Sequence, residues 1–146
     1  SLRGTVDPTV YRGLYDVLRR HPATTQVRYE PDAVVKRSLR ATVAPKRITP
    51  ETGPDPPRID VEWRFVDHEP YYRIHYADPN TGFDCGWHRD DDHPELGPVH
   101  FQYCNPQIGE TVHESATFEK TVPTELCLSA LDRLFEERVP VLTDGS

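Results

Sequence analysis

Lysine is scarce in this chain. Of 17 basic residues only Lys36, Lys46 and Lys120 are lysines, and the other 14 are arginines. Hydrophobic residues make up only 36% of the 146 positions. No run of them approaches the roughly 20 apolar residues that cross a bilayer, which excludes a membrane-spanning helix. No basic-then-apolar opening reads as a signal peptide, and Ser1 in place of methionine suggests a trimmed terminus. A cytoplasmic protein with no membrane partner is the expectation. The three cysteines, Cys85, Cys104 and Cys127, are odd in number and form no CxxC pair, which argues against a disulfide framework. Cys85 and Cys127 sit in apolar company and read as small buried hydrophobes. The seven histidines fall into no HxH, HxxxH or HExxH spacing, so no metal and no cofactor is expected. No internal repeat is present.

Acidic residues are plentiful: 24 against 17 basic ones, a formal net charge of -7. Excess carboxylate with little lysine keeps a protein hydrated in concentrated salt, where the Debye length shrinks to about 3 Å. A halophilic, archaeal source is therefore expected, with an ordinary acidic protein as the alternative. Molar salt suppresses binding by counterion release, so a nucleic-acid site here would rest on stacking and bidentate arginine contacts.

The length fits a single domain over 1–146 with a core of its own. Asp7-Pro8 opens a first helix whose stripe is Val10, Leu14, Val17 and Leu18, ending near His21-Pro22. Residues 24–44 hold one or two strands, and 45–57 is a proline-rich loop. From 58 onward the period is two: Ile59, Val61, Trp63 and Phe65; Tyr72, Ile74 and Tyr76; Phe83, Cys85 and Trp87; Val99, Phe101 and Tyr103; Val112, Ala116 and Phe118. The Asp78–Gly82 segment is a hairpin turn. A last helix, capped by Thr124, buries Leu126, Ala130, Leu131, Leu134 and Phe135 before Pro140. The expected fold is α+β: an antiparallel sheet of about five to six strands, with an N-terminal and a C-terminal helix packed on one face.

If the apolar residues face the helices, parity sends Arg64, Arg73, His75, His88, His100, Gln102 and His113 to the other face. Imidazoles gathered there can exchange protons, bind a transition metal, or grip phosphate beside arginine. Alternatively the face is simply the solvated side of a two-layer sandwich. The segment from Trp87 to Tyr103 concentrates His88, Arg89, His93 and His100 beside Asp90, Asp91 and Asp92. Those carboxylates are expected to raise the histidine pKa values by attraction.

Tyr71-Tyr-Arg-Ile-His-Tyr76, Phe83–His88, Asp91-Asp-His-Pro-Glu-Leu96 and Pro98-Val-His-Phe-Gln102 together resemble the TumE-like toxin family of prokaryotic toxin–antitoxin modules. The likeness covers about residues 58–138, including the last helix. Asp92 stands where an extra histidine is usual, and only His100 remains of a histidine trio on the last motif strand, with Val99 and Gln102 at the flanking positions. The resemblance implies an RNA-directed toxin with an antitoxin partner, acting as a metal-independent endoribonuclease. In that reading His93 and His100 are the acid–base pair, assisted by His88. Arg73 and Arg89 hold phosphate, and Tyr72, Trp87 or Tyr103 stacks a base. The alternative is a non-enzymatic module that pairs with a protein through the sheet face or the proline-rich loop.

Overall fold

The computed structural model describes residues 2–48, 50–106 and 109–140. Helix α1 spans Pro8–Arg20. As the sequence leads one to expect, Asp7 caps it: its Oδ1 accepts the N–H of Thr9 at 2.9 Å, and proline occupies the first turn. Seven strands follow: β1 (Thr24–Glu30), β2 (Ser38–Val43), β3 (Arg58–Val66), β4 (Glu69–Ala77), β5 (Asp84–Arg89), β6 (Val99–Asn105) and β7 (Glu110–Ser115). They lie in chain order in one sheet, each antiparallel to the next. The count exceeds the expected five to six because both apolar segments within 24–44 pair, as β1 and β2, and β2 then docks on β3. Helix α2 spans Pro123–Arg133 and runs on as a π-type turn through Leu134–Arg138. Its N-cap is Val122 rather than Thr124, because Pro123 takes the first helical position, where its missing N–H costs nothing.

Alternation decides the layers. Leu39, Ala41, Ile59, Val61, Trp63, Tyr72, Ile74, Tyr76, Cys85, Trp87 and Phe101 are buried and meet Tyr11, Leu14 and Leu18 of α1 and Leu126, Cys127, Ala130 and Leu131 of α2. The two helices also touch each other. A Cβ at Gly13 would lie 2.7 Å from Thr124 Cγ2, so the absence of a side chain sets how closely α2 approaches. Cys85 and Cys127 are buried as free thiols, and burial pushes the Cys127 pKa up to about 12. The proline-rich loop is tied to the β4–β5 turn. Thr52 Oγ1 donates to Asp78 Oδ2, Asp55 N–H donates to Asn80 Oδ1 at 3.0 Å, and Asn80 Nδ2 returns a bond to the Asp55 carbonyl at 2.7 Å.

One hydroxyl solves a pairing problem at the edge of β3. Strand β2 pairs with β3 only as far as Leu39 opposite Val61, which leaves the backbone of Trp63 and Phe65 without a ladder partner on that side. Tyr11 Oη, fully buried, accepts the Trp63 N–H at 3.1 Å and donates to the Arg37 carbonyl at 2.7 Å. It thereby bridges the two strands where they part. Arg64 donates to the same oxygen and lies 3.6 Å from Glu62 on the helix-free face, so its buried guanidinium spans the edge of β3. One step further along, Thr5 and Phe65 exchange both backbone bonds at 2.9 Å, and this bridge carries the N-terminal residues toward the face away from the helices. Tyr11→Phe removes the bridge and strands a buried N–H, so it is expected to destabilise the protein by about 1–3 kcal/mol. Denaturant unfolding of both proteins measures this; an unchanged midpoint would mean that the hydroxyl bears no load.

Candidate functional site

The helix-free face is organised by two lines of residues running straight across the sheet. In the first, Glu62, Arg73, His88, His100 and Ser115 are successive cross-strand partners. In the second, Asp60, His75, Gly86, Gln102 and His113 are. Strand pairing alone therefore places four imidazoles side by side. Three are deeply buried, His75 at 9%, His88 at 9% and His100 at 1% exposure, so the middle of this face is shielded from solvent while its ends are not.

A missing side chain lets the row close up. A Cβ on Gly86 would lie 2.8 Å from His75 Nδ1 and 2.4 Å from the Ile74 carbonyl oxygen. With glycine there, the His75 ring leans over β5 and its Nδ1 reaches 3.4 Å from His88 Nε2. His88 and His100 rings meet edge to face at 5.2 Å between centroids. The β5–β6 loop then folds back so that His93 lies 4.8 Å from His100 and 4.2 Å from His113. Five of the seven histidines form one continuous row.

Proximity orders the protons along the row. His75 Nε2 lies 3.1 Å from Asp84 Oδ1; a proton held there by the carboxylate leaves His75 Nδ1 as an acceptor for the His88 Nε2–H. The lone pair of His88 is then on Nδ1, which lies 3.9 Å from Asp90 Oδ2. Burial, and secondarily the neighbouring imidazoles and Arg73, push the His88 pKa down from its ordinary 6.5 to about 3. His75 is lowered by burial and Arg73, with Asp84 opposing, and His113 is lowered by burial and by His93 and His100. For His88 this reverses the expectation that the Asp90–Asp92 run raises it: in a crowded, buried row, desolvation outweighs attraction to carboxylates at the rim.

Beside His88 lies a cleft of about 390 Å³, lined among others by Arg3, Glu62, Tyr71, Arg73 and Asp90–Asp92. Arg3 pairs with Asp91 at 2.8 Å and lies 5.5 Å from the Tyr71 ring centroid. Arg73 is half-buried there and has no hydrogen bond or ion pair with any of the described residues. A larger cavity of about 540 Å³ opens on the helix side near His21, Asp132 and Phe135, remote from the row. Of the two, the smaller cleft is the relevant one, because it adjoins the histidine row.

His88, His93, His100 and Arg73, all expected from the sequence, come together. Tyr72 and Trp87 do not join them: they are 2% and 0% exposed in the core under the helices, where no base can stack. Tyr103 is half-buried on the same helix side, 6.0 Å from Phe101. Arg89 also leaves the row; it donates to the Pro70 carbonyl and lies 3.1 Å from Glu69. Periodicity placed His75 and His113 on this face without giving either a role in the site, and Tyr71 was given none. Tyr71 was legible, since it shares parity with Arg73 while Tyr72 does not. The ligand nitrogens of His93, His100 and His113 lie within 4.8 Å of one another, as do donor atoms of His88, Asp90 and His100, so either group has the reach to hold a metal ion. No protein-family model, no curated protein and no solved structure matches this chain. The likeness to TumE-like toxins therefore rests on its motif residues alone.

The depressed histidines make a pH prediction. The unfolded chain binds protons at these imidazoles below about pH 6.5, whereas folded His88 stays neutral down to about 3. Stability should be level above pH 6.5 and fall with acidification, by up to about 1.4 kcal/mol per pH unit for each such histidine. Between pH 6.5 and about 4.5, above the carboxylate range, His88→Gln should flatten the slope. Equal slopes for both proteins in chemical denaturation would contradict the depressed value.

Proposed function

We propose that this protein acts on RNA, as a toxin-type protein cleaving a phosphodiester bond at the histidine row, with an antitoxin as its natural partner. The observation that carries the reading is the cleft in which unpaired Arg73, the Tyr71 ring and His88 stand together next to His93 and His100. Arg73 offers a bidentate fork to a phosphate. Tyr71 takes the stacking role that Tyr72 and Trp87, being core residues, are unable to fill. Arg3, delivered by the Thr5–Phe65 bridge, adds a second cation at the mouth. The carboxylates nearby are partly engaged, Asp91 by Arg3 and Asp90 by the backbone N–H of Asp92.

The roles divide along the row. His88 is neutral and weakly basic, held in one tautomer by Asp84 through His75, and serves as an acceptor that positions the substrate. The reacting bond lies nearer to His93 and His100, at the open end of the row. RNA cleavage by the purified protein in molar salt tests the reading, alongside growth arrest on induction. Arg73→Ala and Tyr71→Ala should each slow cleavage at least about ten-fold, and His93→Ala about 100-fold or more. Intact RNA together with unimpeded growth would sink the reading.

A further inference from the structure

At the open end of the row, two imidazoles have one ring nitrogen already engaged by an oxygen. Glu95 Oε1 lies 3.3 Å from His93 Nδ1, and Gln102 Oε1 lies 3.2 Å from His100 Nε2. An acceptor at one nitrogen holds the proton there and leaves the lone pair on the other, Nε2 of His93 and Nδ1 of His100. Metal-ligating histidines are oriented in this way, the second nitrogen donating to a carboxylate or other oxygen. His113 completes the group from β7, partly exposed.

We propose that His93, His100 and His113 bind a divalent transition-metal ion of the zinc class, leaving one coordination position open. Three nitrogen donors suit zinc and its neighbours rather than magnesium or calcium. A tetrahedral ion holds its nitrogens about 3.4 Å apart, against the present limit of 4.8 Å, so the group contracts by roughly 1 Å on binding. His93 is the member free to move inward, because it stands on a loop rather than a strand. His113 is on the last strand, and His100 is fixed between two neighbouring strands.

The open position is that of a hydrolytic site, where such an ion brings the pKa of a bound water to about 7. That use rests on the RNA function proposed above; the binding of the ion does not. His93 and His100 then act as ligands instead of the metal-free acid–base pair expected from the sequence, and the carboxylate of Glu95 and the amide of Gln102 become positioning groups. The competing trio of His88, Asp90 and His100 shares His100. It has a carboxylate where the first has a third imidazole, and loss or retention of the ion in His88→Ala separates the two.

The test is metal analysis of tag-free protein by plasma mass spectrometry, followed by Zn²⁺ titration and the absorption spectrum of the Co²⁺ form. One zinc per chain and a tetrahedral Co²⁺ spectrum are expected. His93→Ala and His113→Ala, both outside the deep core, should weaken Zn²⁺ binding more than about 100-fold with the far-ultraviolet circular dichroism unchanged. Glu95→Gln should weaken it about 10- to 100-fold. His88→Ala should keep the ion. Absence of binding at micromolar Zn²⁺ overturns the site, as does an ion that survives His113→Ala or is lost in His88→Ala. Stoichiometric zinc without RNA cleavage upholds the site and sinks the RNA function. Undiminished cleavage by zinc-free protein overturns the ion's part in it.

Discussion

Everything on the helix-free face depends on antiparallel register. Because side chains alternate with a period of two, a slip of one residue in β5 would send His88 into the core and Trp87 out of it. The apolar half of the alternation prevents that slip. Trp63, Tyr72, Tyr76, Trp87 and Phe101 are each almost wholly buried, and aromatic side chains of this size contribute several kcal/mol apiece to holding their strands in place. The histidines are thus positioned by residues they never touch. Stability on one side of the sheet sets geometry on the other.

Packing imidazoles against one another is tolerable only while they are neutral. Charged, three rings with under a tenth of their surface exposed would repel each other in a medium that screens them poorly. Neutral, each ring has one donor and one acceptor, and the row becomes a problem of ordering protons. Asp84, Gln102 and Glu95 solve it from three directions by taking a hydrogen bond from His75, His100 and His93 respectively. What results is a line of lone pairs with predetermined orientation, at the cost of acid sensitivity.

Much of this was legible in the sequence, and the parts that were not have definite physical causes. The helices, the meander from residue 58 and the collection of Arg73, His75, His88, His100 and His113 on one face all follow from periodicity. The same periodicity already separated Tyr71 from Tyr72 and His88 from Trp87. Assigning stacking to Tyr72 and Trp87 overrode it in favour of aromatic character. The joining of His93 to His113 had no local signal, since one residue is on a loop and the other 20 positions later on a strand, and only the path of the β5–β6 loop brings them together. Nor did the sequence indicate the pKa direction, which depends on burial. The bridging hydroxyl of Tyr11 was hidden for a similar reason: its meaning appears only where β2 ends.

Strand order equal to chain order has a consequence for how the molecule comes into being. Each strand pairs only with its predecessor and successor, so every hairpin can close as soon as its second strand exists, with short loops throughout the second half of the sheet. The row of imidazoles is accordingly written from one end, beginning at His75 and finishing at His113. During synthesis the deep, proton-ordered part is in place before the outer group has its last member. The cluster with the reach to hold an ion is the final piece of the sheet to exist, so all seven strands must be made before it can take one up.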